Sequence, residues 1–222
     1  MILKFFAILV IALPSNRLFA QTAKPDDKVI FSVTRFDPRD RPIPEFMVKN
    51  GGTETELRVP LTYIAGPFTA TLREDKYLDF FKAGAKEPVL STVIPPEMRR
   101  DLLLVFIPLK DSFEILKIHV PPAGIKGGDH YVINATPTEL AVKFGSVNPV
   151  HIASRKAAVL HDPAVGEALT LPVVIEQMDG EEWKPVTTEN WPHDTRFRTF
   201  LFLYTSERDH HMAFHAITQR VE

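Results

Sequence analysis

The sequence predicts an all-β protein: two tandem Ig-like antiparallel β-sandwich modules behind a signal peptide. Three observations carry this. Short apolar runs recur about every 8–12 residues, separated by proline or by Asn/Asp-Gly pairs, the rhythm of sandwiches and barrels. No stretch has a convincing helical period; the best alternative, Asp75 to Phe81, carries Tyr77, Phe80 and Phe81, which suit a strand equally well. Prolines number 19 against 10 glycines, a composition suited to many strand ends.

The elements follow in order. Residues 1–20 read as a secretory signal, with Lys4 as the positive region, Phe5 to Leu13 as the apolar core and Ala20 at the cut. The apolar run is too short to cross a bilayer, which takes about 20 residues. Residues 29–36 alternate Val29, Phe31 and Val33 with Ile30, Ser32 and Thr34. After a proline-rich break, 45–50 runs into Asn50-Gly51-Gly52, a tight-turn signal. Strands are expected at 56–61 and 68–73, and 77–82 pairs with 89–94 as a hairpin. Residues 101–109 form the most apolar stretch after the leader, and Lys110-Asp111-Ser112 turns it into 113–120. The second half repeats the habit at 130–135, 139–145, 155–160 and 169–178. Asp179-Gly180 then turns into 181–186, and 198–204 and 211–217 close the chain. The domain boundaries expected are 1–20, 27–121 and 122–222, with Gly127-Gly128 as a flexible lead into the second module.

Two pairs of segments look alike. Residues 46–57 (FMVKNGGTETEL) resemble 131–140 (YVINATPTEL), and 99–109 (RRDLLLVFIPL) resemble 196–206 (RFRTFLFLYTS). Together they point to two copies of one module joined near Pro121-Pro122.

The composition excludes several functions. Lys plus Arg is 26 and Asp plus Glu 28, giving a net charge of -2, without the basic surplus of a nucleic-acid binder. There is no cysteine, which removes disulfides, thiol catalysis and Cys-ligated metals. A cysteine-free exported chain fits a bacterial periplasmic or secreted protein held together by its core.

Candidate chemistry is sparse. Histidines crowd the C-terminus at His193, His210, His211 and His215. On a helix His211 and His215 would share a face, but on a strand they stand about 13 Å apart, too far for one metal ion. His161-Asp162 and His193-Asp194 are adjacent pairs, and neighbours on a strand point to opposite faces, so neither pair orients its own imidazole. No nucleophile elbow surrounds any serine. Asp179, Glu181 and Glu182 cluster at a hairpin tip, a solvated place. Gly127-Gly128 lacks the lysine of a phosphate loop. Trp183 and Trp191 would make a sugar-stacking platform if exposed and coplanar; packed inside, they fill the core or cover an edge, with Arg196 or Arg198 stacked on Trp191.

The leader, the Pro-Pro-Glu turn at 95–97 before a Leu-rich strand, and the Trp191 to Arg198 run before an apolar strand resemble uncharacterised exported proteins of bacteria. The resemblance implies the sandwich fold and carries no activity with it. The expected function is therefore non-catalytic: an envelope or secreted module that binds a protein partner or supports a surface assembly, without cofactor, metal or catalytic residues. Its partner would be another envelope protein or a surface polysaccharide, with no nucleic acid and no membrane span. The alternatives are a carbohydrate-binding module using Trp183 and Trp191, and a hydrolase or metal enzyme using the C-terminal histidines.

Overall fold

A computed structural model describes residues 27–36, 43–108, 113–120, 124–145, 147–162, 170–205 and 211–221. The expected signal peptide at 1–20, most of the Pro38–Pro44 break, His210 and the joint at Pro121-Pro122 lie outside the described residues.

The described chain is all-β, with a single short 3-10 turn at Pro96–Met98 inside the chain and no α-helix. The first half holds β1 (Lys28–Arg35), β2 (Phe46–Asn50), β3 (Thr53–Leu57), β4 (Ala65–Thr71), β5 (Tyr77–Phe80), β6 (Leu90–Val93), β7 (Leu102–Pro108) and β8 (Phe113–His119). The second holds β9 (His130–Asn134), β10 (Leu140–Phe144), β11 (Val150–Ile152), β12 (Ala157–Leu160), β13 (Thr170–Asp179), β14 (Glu182–Pro192), β15 (Phe197–Thr205) and β16 (Met212–Arg220).

One sheet of the first half runs β4-β1-β7-β8, and one of the second runs β12-β9-β15-β16. The two orders match strand for strand, and so do the directions: antiparallel, parallel, antiparallel in each. Opposite them lie β11-β10-β13-β14 in the second half and the hairpins β2-β3 and β5-β6 in the first, joined by backbone bonds between Met47 and Phe81. The sheets are therefore not purely antiparallel as expected. Each half's first strand lies parallel to its seventh, which the intervening crossover of several strands permits.

The similarity of 99–109 to 196–206 falls on β7 and β15, which hold the same place. The similarity of 46–57 to 131–140 does not: it sets β2-β3 against β9-β10, strands in different positions.

Inward residues alternate along each strand and meet across the sheets. Val29, Phe31 and Val33 of β1 pack with Leu102, Leu104 and Phe106 of β7 and with Phe46 and Phe80. In the second half Val132, Val142, Val173, Ile175, Leu201 and Leu203 form the equivalent core with Trp191. A third core lies between the halves. Leu103, Val105, Leu116 and Ile118 from β7 and β8 face Tyr131, Ile133, Phe200, Phe202 and Ile217 from β9, β15 and β16. Like sheets thus pack on one another, which explains why β7 is apolar throughout and β15 is apolar from Phe200 to Leu203: both faces are covered there.

Gly127 is not a flexible lead. A Cβ there would stand 1.8 Å from the Thr195 carbonyl oxygen, so the position admits only glycine without backbone movement. The neighbouring Gly128 N–H donates to the Phe197 carbonyl at 2.7 Å.

Candidate functional site

The second half gapes on one side, between edge strands β14 and β16. The opening is a cleft of about 360 Å³. Alternation along β16 turns Phe214, Ala216 and Thr218 inward, opposite Leu203, Leu201 and Thr199 of β15. The other wall is Glu189, Asn190, Trp191 and Pro192 of β14, and His130 closes the back. The cleft is mainly apolar because both sheets present core-facing residues here. Its charged groups are Glu189 and Asp194. Asp194 is bound to the Arg196 guanidinium at 2.6 Å, and that hydrogen bond with the Arg196 backbone N–H holds its carboxyl at about 2. Glu189 has no ion-pair partner among the described residues.

Behind the cleft lies a cluster of histidines and aspartates that adjacency in sequence did not suggest. Asp129, 3% exposed, accepts hydrogen bonds from the backbone N–H groups of Lys126 and Asp162, both at 2.9 Å, and its other neighbour is His161 Nδ1 at 3.4 Å. His193, also buried, places Nε2 3.1 Å from Asp162 Oδ1. Each histidine thus meets an aspartate other than its chain neighbour: His161 meets Asp129, and His193 meets Asp162. Asp129-His130 is a third adjacent pair of these residue types, in the opposite order, and the sequence reading did not single it out. His130 stacks near His193 and Trp191, with ring centroids 6.1 and 6.4 Å away. Burial pushes the His130 imidazole below its ordinary value, and the neighbouring His193 adds to this, outweighing the carbonyls of Gly128 and Pro192, which act the other way. The buried carboxylate is held chiefly by backbone N–H groups, so its clear work is to fasten the 124–129 and 161–162 loops together.

The remaining candidates scatter. Trp191 is 4% exposed and packs edge-on to Phe144. Trp183 sits at the far end of β14 against His151. The pair therefore forms no common open platform, and neither Arg196 nor Arg198 stacks on Trp191: their guanidinium groups lie over Phe197 and Phe200. His215 lies on a strand as expected and turns to the other half, with Nε2 3.0 Å from the Leu61 carbonyl oxygen. His211 precedes that strand. Among the described residues no group of three or more His, Asp or Glu side chains is arranged to hold a metal ion. Asp179 forms an ion pair with Lys184 at 2.6 Å across the β13-β14 hairpin, with Glu182 exposed beside it. No helix among the described residues is long and apolar enough to cross a membrane. No family model matches the chain, and no characterised protein matches it significantly.

Proposed function

We propose that the protein is an exported, non-catalytic binding protein of the bacterial cell envelope, built of two tandem Ig-like sandwiches that arose by duplication. It holds an extended segment of a protein partner by strand addition to β16. The observation that carries this reading is the character of the sheet edges. An unpaired edge is a template for another strand, and folded proteins blunt such edges with proline, charge or shortness. Edge strand β14 carries Glu182, Lys184, Pro185, Glu189 and Pro192. β4 contains Pro67, β8 contains Glu114 and Lys117, and β11 and β12 have three and four residues. β16 has nine residues, no proline, and a formal charge only at its last position, Arg220. Main-chain pairing there supplies affinity, and side chains flanking the edge supply selection.

The test is a photo-crosslinking amino acid placed in turn at positions 213 to 219 of the full chain, expressed in cells with its native N-terminus. Adducts to one envelope protein from successive β16 positions, and none from positions 184 and 188 on β14, are expected. Absence of any adduct along β16 would sink the reading.

A further inference from the structure

We infer that the cleft between β14 and β16 is a binding site for an apolar amine: a hydrocarbon chain or ring bearing one positive charge. This does not rest on strand addition at β16, which uses that strand's backbone edge, whereas the cleft uses its inward side chains.

The argument comes from comparing the two halves. In the first, β8 and β6 hold the places that β16 and β14 hold in the second. Lys117 of β8 lies opposite Leu104 of β7 and shares its face with Ile115, which packs on the first core. Its Nζ reaches across to Thr92 Oγ1 of β6 at 3.2 Å. The first half therefore spans its own gap with an alkyl chain ending in an ammonium. In the second half the corresponding position, opposite Leu201 of β15, is Ala216. Ala216 reaches nothing across the gap; Phe214, two residues before it, meets the Trp191 ring at 5.3 Å, and beside that contact the gap stays open as the cleft of about 360 Å³, a volume in the range of small-ligand sites.

The charge around the opening selects the head group. Of the two acids at the cleft, Asp194 is neutralised by Arg196. Glu189 is exposed on β14, and no described cation answers it. The walls are mainly apolar, with Trp191, Phe197, Leu201 and Phe214 suiting hydrocarbon beside the uncharged polar Asn190, Thr199 and Thr218, and aromatic faces favour a cation over an anion. An occupant with an apolar body and an ammonium toward Glu189 restores in the second half what Lys117 supplies in the first.

The experiment uses n-octylamine, n-octanol and octanoate, which share a chain and differ in the head. Replacing Trp183 with Phe leaves Trp191, in the cleft wall, as the sole tryptophan, and its fluorescence reports occupancy. Saturable binding of one octylamine per chain is expected, about threefold to fivefold tighter than octanol, the worth of a partly exposed ion pair, with octanoate weaker than both. Glu189→Gln should remove the advantage of the amine while octanol still binds. Ala216→Lys should fill the cleft from within and abolish all binding while the chain still melts cooperatively; Ala216→Leu serves if that variant does not fold. Octanoate binding as tightly as octylamine, no saturable binding, or binding that survives in a folded Ala216→Lys or Ala216→Leu variant would each overturn the assignment.

Discussion

Buried polar residues do two kinds of work in the second half. Asn134, fully buried at the end of β9, has every polar atom occupied. Its Nδ2 donates to the carbonyls of Thr138 at 2.7 Å and Ile152 at 2.9 Å. Its Oδ1 accepts from the Thr136 N–H at 2.9 Å and hydroxyl at 2.7 Å. Such a satisfied network fixes one arrangement of the surrounding loops. His130 is different, because its environment disfavours one protonation state. With its folded value depressed, the folded chain binds fewer protons than the unfolded chain once pH falls below the unfolded value. The stability it contributes is therefore full above about 6.5 and declines as pH falls toward the folded value. Urea melts should thus show a stability loss as pH falls below about 6.5 that is smaller in His130→Phe, a ring that packs against Phe144 without titrating. Equal slopes in parent and variant would refute this.

Strands with one or two buried faces were legible in the sequence, while some exposed stretches were not, although the largely exposed β6 and β16 were expected at 89–94 and 211–217. β1, β7, β9 and β15 lie within a residue or two of their expected limits because burial demands apolar residues at alternate or successive positions. β3 is Thr53–Leu57 with only Leu57 buried, so no alternation marks its first four residues. The C-terminal half of β14 was missed for the same reason: only Trp191 is buried along the whole strand, and two prolines interrupt it. The candidate site was hidden more deeply. Its cleft is defined by what Ala216 lacks relative to Lys117, and its histidines pair across loops rather than along the chain. The apolar strands also set an energetic expectation. Phe106 is fully buried and touches Phe46 and Phe80, at centroid distances of 5.6 and 5.4 Å. Phe106→Ala should cost about 3–5 kcal/mol, a large part of the roughly 5–15 kcal/mol of a domain. A denaturant midpoint equal to the parent's would show that β7 is not core.

At the scale of the molecule, the third core decides whether the halves behave as two units or one. It is built from equivalent strands of each half, so each half would leave a broad apolar sheet face in water without the other. Faces of that kind are not tolerated on separate soluble units. Phe36 extends the contact, lying 4.3 Å from the Tyr204 ring and 6.1 Å from that of Phe202, and the His215 contact with Leu61 seals its rim. The chain should therefore unfold in one calorimetric transition, with the van't Hoff enthalpy equal to the measured one. Leu103→Asp places an uncompensated carboxylate in the third core while leaving the inward Leu102 and Leu104 untouched. It should split the transition into two, since each half keeps its own interior. Hydrogen exchange would show the same change locally, with protection lost first on β8 and β16. A single transition in Leu103→Asp at the parent's midpoint would mean that the two halves do not rely on this face, and the coupling would have to be sought elsewhere.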